Sequence, residues 1–423
     1  MSGWTRVKVE ELAAPTPNAL ATGPFGSSIS SKFFVERGVP VIRGSNLSEN
    51  VGLRLSDENL VFIEPEKAAT FSRSEVRRGD LVFTCWGTIG QVGLVDQRAG
   101  FERYIVSNKQ MKLTPDPSKA DSLFLYFAFS SPMVMAAIQG QTIGSSVPGF
   151  NLGQLRNIEL DLPPLDEQRR IAAVLGALDD KIELNRKMNR TLEEMAQAIF
   201  KSWFIDFDGH DDLVDSEIGP VPRGWGVGTL GDLADLNPES WNKRTRPAAI
   251  SYVDLSNTKW GAIEAVTEFQ AGDAPSRAQR VLRPRDTIVG TVRPGNGSYA
   301  LVARSGLTGS TGFAVLRPKD PESASMIYLA ATRRENIDRL AHLADGGAYP
   351  AVRPEIVAAT PTVVPPAAAL AGFAANVDPL LQRVATNRAE SRTLAELRDT
   401  LLPKLISGEL RVPEAEERVE AAS

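Results

Sequence analysis

A chain of 423 residues, 42% hydrophobic and 23% charged, with a net charge of −5, has the composition of a globular protein with room for two or three domains. It contains no apolar run of about 18 residues, which excludes an ordinary membrane-spanning helix, and the opening MSGWTRVKVEELAAPTP lacks the apolar stretch of a signal peptide. One cysteine, Cys85, excludes an internal disulfide and fits a reducing cytoplasm.

The charge is uneven. Residues 1–160 and 221–362 are each close to neutral, and the acid is concentrated in the linker DFDGHDDLVDSE and the tail VPEAEERVEAAS. Two near-neutral modules with acidic connectors leave room for local basic patches of the kind that DNA binding needs.

In chain order the sequence is written twice. GWTRVKVEEL at 3 is answered by GWGVGTLGDL at 224, and VPVIRGSNLSENVG at 39 by AAISYVDLSNTKWG at 248. A strand with a charged entry follows in each half, RRGDLVFTCWGTIGQVGLV at 77 and LRPRDTIVGTVRPGNGSYALV at 282. Strand pairs ending in NKQMKLTPD and GFAVLRPKD come next, then short helices in SLFLYFAFSS and ASMIYLAATRR. The Gly-rich loops GQTIGSSVPGFNLGQLRNIEL and ADGGAYPAVRPEIVAATPTVV lead to a Pro-Pro pair and a long helix in both halves. Short β-branched and aromatic runs bounded by Gly, Asn and Pro make each module mostly β, with a few helices.

The long helices carry the clearest periodicity. A 3-4 spacing runs through Leu175, Leu178, Ile182, Asn185, Asn189, Leu192, Ala196, Ile199 and Trp203, an a/d seam of four heptads. Its counterpart 202 positions later is Val377, Leu380, Val384, Asn387, Ser391, Leu394, Arg398, Leu401 and Leu405, with Arg398 as the one clear defect. Asp166 and Glu167 suit the first turn of the first helix, Gly209 its stop, and Pro403 a kink or end of the second. A twofold axis relating the halves allows the two helices to pair parallel or antiparallel; the polar seam residues favour antiparallel pairing, which would set Asn185 against Ser391 and Asn189 against Asn387, so that buried polar groups find partners.

No catalytic constellation is evident. GVGTLG at 226–231 has the spacing of a dinucleotide loop without the strand, helix and acid that such a loop needs, and no phosphate-binding P-loop is present. With only His210 and His342, multi-histidine metal sites are excluded, and the catalytic and metal sets are read as none. Pro115-Asp116 with Asp179-Asp180-Lys181 imitates a nuclease's acid-acid-lysine set, but the latter three fall on the e, f and g faces and read as a solvated helix surface. Recognition chemistry remains. Basic residues sit with amides and hydroxyls at Arg43, Ser45 and Asn46; at Asn108, Lys109 and Gln110; at Lys243, Arg244 and Arg246 beside Trp241; at Asn257 and Lys259; and at Arg293 and Asn296. Trp86 and Arg353 complete the candidate set. Arg and Lys read guanine edges, Asn and Gln read adenine edges, and Ser and Thr hold phosphates.

Residues 163–205, PPLDEQRRIAAVLGALDDKIELNRKMNRTLEEMAQAIFKSWF, resemble the central region of specificity subunits of Type I restriction-modification enzymes, and GSSVPGFNLGQLRNIELDLPPLDEQ is similar to the end of their first recognition domain. The second copy departs from the pattern at Ala367–Leu370, while Asn387-Arg388 matches Asn185-Arg186. The resemblance implies an α+β fold: two mostly β target-recognition domains, related by a pseudo-twofold axis and separated by two long helices packed as an antiparallel coiled coil. It divides the chain into recognition domain 1 (1–162), spacer helix 1 (163–206), recognition domain 2 (207–364), spacer helix 2 (365–410) and an acidic tail (411–423). It further implies a non-catalytic cytoplasmic subunit that binds double-stranded DNA and two modification subunits, with two restriction subunits where a nuclease exists. No cofactor belongs to the chain itself; S-adenosylmethionine, ATP and Mg would come with the partners. The competing readings are a coiled-coil scaffold and a DNA-binding module outside restriction-modification.

Overall fold

The computed structural model describes residues 3–142, 149–242 and 244–422. The chain forms two compact units, Met1–Asn185 with Ala389–Ser423, and Arg186–Arg388. Each unit therefore holds one globular module and one half of each long helix. Among the described residues no single helix is long and apolar enough to cross a membrane.

In the first unit, Thr5–Lys8 pairs antiparallel with Glu159–Leu162 and ties the two ends of the module together. A four-stranded antiparallel sheet has the order Leu20–Thr22, Gln110–Leu113, Leu81–Thr84, Val92–Leu94. A five-stranded sheet has the order Phe34–Val35, Val61–Ile63, Val39–Ile42, Arg103–Val106, Glu75–Arg77, with its third and fourth strands parallel. The helix Ser122–Ser130 is buried nearly all round, Phe124 to Phe129 lying inside. Such a helix has no amphipathic face because core surrounds it. Its core joins Leu81, Phe83 and Met111 to Leu175, Leu178 and Ile182 of one long helix and Leu401, Leu402 and Leu405 of the other. The acidic tail folds into a helix, Val412–Ala422, anchored in that core by Val412 and Ala415.

Among the described residues the second unit repeats this topology with one edge strand fewer in its mixed sheet. Gly226–Thr229 pairs with Pro361–Val364. Ala234–Leu236, Phe313–Pro318, Thr287–Gly290 and Tyr299–Leu301 form the antiparallel sheet. Thr267–Gln270, Ala249–Val253, Leu307–Ser310 and Ala278–Leu282 form the mixed one, again with a parallel central pair. GVGTLG is thus an edge strand followed by a single helical turn, Leu230–Leu233, and not a nucleotide loop.

Pro-Pro ends a strand and launches a helix in both copies: Leu165–Lys201 and Ala367–Ile406. The first long helix ends ahead of Gly209, and the second continues past Pro403 and ends two residues before Gly408. The first passes into a π-turn, Ser202–Asp206, and leaves it through Phe207 at φ 55°, two residues before Gly209. Phe207 occupies this left-handed conformation because its ring is buried against Trp225, 5.8 Å between centroids. The second runs on past Pro403 to Ile406. Proline there removes one backbone hydrogen bond near the helix end, while Leu402, Leu405 and Ile406 stay buried and offset the loss.

Within each unit the helix halves run antiparallel. In the first, Asn185 donates to Ser391 Oγ at 3.3 Å, Arg398 to Asp179 at 2.8 Å and Arg411 to Glu167 at 3.4 Å. In the second, Asn387 donates to Asn189 Oδ1 at 2.8 Å and Arg388 to Glu193 at 2.6 Å. Both polar layers expected from the seam are present. The apolar seam drifts near its outer end: Phe200 and Phe204 are buried where Ile199 and Trp203 are half-buried, and Leu381 is buried where Leu380 is half-buried. A straight helix rotates by ~20° per heptad relative to a strict seven-residue repeat, which produces this drift. Asn387→Leu alone is expected to cost ~1–3 kcal/mol, because Asn189 keeps a buried carbonyl without its donor. Replacing both asparagines with leucine should recover most of that loss in urea unfolding, since exchanging both partners for apolar groups is close to neutral.

Asp179 is not on a solvated surface, as its helical position implied. It is 1% exposed and bonded to Arg398, itself 4% exposed. The defect in one seam and the supposed surface acid of the other are a single buried ion pair.

Candidate nucleic-acid interface

Strand ends converge to build a loop cluster in each unit. In the first, the turn after Leu20–Thr22 is held by Gly23, whose N–H donates to Gln110 O at 2.9 Å. A Cβ at Gly23 would lie 1.8 Å from Ser107 O, so only glycine permits this approach. Ser107 N–H donates to Ile42 O at 2.9 Å, Cys85 N–H to Lys109 O at 2.7 Å and Phe150 N–H to Cys85 O at 2.8 Å. Trp86 and Gly149 form a bridge, and a Cβ on Gly149 would fall 2.6 Å from the indole. These bonds bring the loops at 23–26, 43–46, 85–90, 107–110 and 149–150 together.

Of the candidate residues there, Ser45, Trp86, Asn108 and Lys109 are exposed. Asn108 donates to Gly26 O at 3.5 Å, beside the exposed Phe25. Arg43 is half-buried and gives one guanidinium N–H to Asn59 O at 2.9 Å. Two candidates turn inward. Asn46 is fully buried: it accepts from Arg43 N–H and donates to Ser56 O and Glu58 O, each at 3.0 Å. Gln110 is buried and accepts a short hydrogen bond from Ser107 Oγ. Their amides stitch loops together and have no edge to offer a base. The sequence could not show this, because a loop amide has the same local context whether it faces solvent or closes a turn.

The second cluster repeats the same bonds. Thr291 N–H donates to Gly312 O at 2.8 Å, Val352 N–H to Thr291 O at 2.9 Å, and Val292 bridges Ala351. Position by position, Cys85 corresponds to Thr291, Trp86 to Val292 and Phe150 to Val352. Lys259, Arg293, Asn296 and Arg353 are exposed in this region, and Asn257 is half-buried. Arg353 stands at the entry to the helix Pro354–Ala358. Arg244 is exposed on a separate loop whose turn is held by Asn242. Arg246 is half-buried and braces that loop by donating to Pro275 O and Ala278 O at 3.0 and 3.3 Å. Lys243 lies outside the described residues.

Four residues missed by the sequence reading share these clusters. Phe25 and Tyr349 are exposed aromatics at loop tips, Trp260 is held at φ 46°, and Arg277 is clamped by Tyr252 Oη and Asp254 at 2.9 and 2.5 Å. Tyr349 stands in a Gly-Gly-Ala-Tyr-Pro run, the one local signal that would have marked it. Exposed cations at loop ends hold phosphates, and exposed aromatics and amides contact bases. The clusters have the chemistry for both.

Residues 25–194 match a family model described as the Type I restriction modification DNA specificity domain. The chain is similar to the Type I restriction enzyme MjaIX specificity subunit of Methanocaldococcus jannaschii, 26% identical over 353 residues that cover 80% of this chain and 79% of that one. It is also similar to the HindI specificity subunit of Haemophilus influenzae, 22% identical over 411 residues, 80% of this chain and 88% of the other. A crystal structure of a Type I restriction-modification system S subunit from M. genitalium shares the fold, with a TM-score of 0.58 at 17% identity over 95% of this chain and 96% of that one.

Proposed function

We propose, from the premise that this chain belongs with the specificity subunits of Type I restriction-modification enzymes, that its two units each read one half of a split, asymmetric double-stranded DNA target. The observation that carries this reading is the repetition of one loop cluster: the bonds of Cys85 and Phe150 recur at Thr291 and Val352, while the side chains displayed around them differ. A shared scaffold with different displayed residues is what two readers of two different half-sites require.

In this reading the two long helices act as a ruler. A 29-residue seam, Leu175 to Trp203, spans ~43 Å at 1.5 Å per residue. That is somewhat longer than one DNA turn of ~34–36 Å. The chain does no chemistry itself. Two modification subunits dock on the duplicated body, with two restriction subunits where a nuclease exists, and the complex works in the cytoplasm. S-adenosylmethionine, ATP and Mg belong to those partners.

The test is methylome sequencing of a host that expresses this chain with its modification subunit. The expected result is a new methylated motif in two specific halves separated by a non-specific spacer. Removing residues 207–362 should erase the specificity of one half alone. An assembled complex that leaves no new motif would overturn the reading.

A further inference from the structure

We infer that Tyr349, braced by Arg293, is a specificity-determining residue that stacks on DNA at the half-site read by the second unit; this rests on the DNA-reading function proposed above. An exposed aromatic by itself means little. Tyr349, 71% exposed, is displayed by a loop built to hold it. Asp345 and Ala351 exchange both backbone hydrogen bonds, at 3.1 and 2.9 Å, and close a five-residue tip, 346–350. Gly346 turns that tip at φ 119°, where a Cβ would also crowd Tyr349 O at 3.2 Å.

Arg293 supplies the second, independent observation. It sits in the left-handed region at φ 47° and ψ 61°, a conformation that costs a residue with a Cβ. The bonds shared by the two clusters make Gly87 its counterpart in the first unit, and Gly87 has φ 100°. The same backbone position is thus filled by glycine in one copy and by a strained arginine in the other. Strain of this kind is retained where the side chain is needed. What the arginine does is visible: its N–H donates to Pro350 O at 2.7 Å, its Nη2 to Ala348 O at 2.6 Å, and its guanidinium lies 4.7 Å from the centre of the Tyr349 ring. Two of these contacts hold the backbone on either side of Tyr349, and the third lies against its ring. The guanidinium, held against one ring face, leaves most of the ring in solvent. An exposed aromatic on a loop braced in this way is suited to stack on a base or deoxyribose, and a loop already held in place loses less entropy on binding.

The experiment uses the assembled complex of the full chain and its modification subunit, with the target read from the methylome. Duplexes varied one position at a time across both half-sites are assayed for binding and methylation. Tyr349→Ala should weaken binding to the target about 10- to 100-fold, the loss expected for one aromatic stack. It should relax base preference at one or two neighbouring positions of the second half-site and leave the first half-site unchanged. Tyr349→Phe should behave as wild type, because the ring and not the hydroxyl is used. Arg293→Gly relieves the backbone strain, so thermal stability should hold or rise while the same positions lose discrimination. A bracing role for the fold alone would give the opposite pattern. Tyr349→Ala with full discrimination at every position overturns the inference and leaves the proposed function standing. So does a variant that fails to assemble with the modification subunit yet binds DNA with normal preference. If the wild-type complex itself shows no split target, the proposed function falls and takes this inference with it.

Discussion

Arg398→Ala will destabilise the first unit by about 3–5 kcal/mol, the cost of leaving one member of a buried ion pair without its partner. The guanidinium donates to Asp179 Oδ1 at 2.8 Å, and the Asp179 side chain is fully enclosed. Arg54 approaches the other carboxylate oxygen only to 3.6 Å and is itself committed to Asp96 at 2.6 Å. Removing Arg398 therefore takes away the direct hydrogen bond to the buried carboxylate and leaves it to the weaker pull of Arg54 and Arg98, both engaged by other carboxylates. Burial pushes the Asp179 carboxyl above its ordinary value, and the Arg398 hydrogen bond and charge, then Arg54, pull it back. A carboxyl whose folded pKa is raised costs stability as pH rises through the carboxylate range. The deficit of Arg398→Ala should accordingly be largest near neutral pH and shrink in acid, where Asp179 takes up a proton. Arg398→Met combined with Asp179→Leu should restore most of the stability, since apolar replacements of a buried pair are often neutral or better. Hydrogen exchange across residues 165–185 during urea unfolding measures this, because it follows the first unit on its own. A loss below ~1 kcal/mol for Arg398→Ala would mean that water reaches the pair.

Phe373→Ala carries the largest expected effect in the second unit. Phe373 is fully buried on the second long helix. Its ring centre lies 4.7 Å from that of Phe204, 5.9 Å from Trp203 and 6.3 Å from Phe200, all three from the first long helix or the π-turn that ends it. Truncation to alanine removes the centre of this aromatic cluster and should cost ~3–5 kcal/mol. Phe373→Leu should cost less, because it keeps much of the apolar volume. Trp203 and Trp225 both touch Phe204, at 6.3 and 5.8 Å, so tryptophan emission reports the loosening directly. Emission and stability unchanged in Phe373→Ala would show that the helix halves of this unit are not held by the aromatic cluster.

The sequence alone determined the duplication, the alternation of strands and helices in each copy, and the two seams; the antiparallel pairing it favoured, Asn185 with Ser391 and Asn189 with Asn387, is the one the structure holds. These are legible because they are local or periodic: Pro-Pro stops a strand wherever it stands, and a four-heptad seam has one apolar face whatever it packs on. Beyond the seam asparagines, only the tertiary structure decided which polar residues are inside. Asp179 looked solvated and Arg398 looked like a defect, because the two lie 219 residues apart and each makes sense only beside the other. Asn46 and Gln110 had the composition of DNA readers, yet the Asn46 amide is taken up by backbone groups and the Gln110 side chain is buried, with its oxygen accepting from Ser107. Tyr349 was overlooked for the converse reason. Its display depends on Arg293, 56 positions earlier in the chain, and on a strained backbone that has no signature in sequence. Periodicity is a property of the chain. Burial and display are properties of neighbours, and for these residues the neighbours are supplied by the fold.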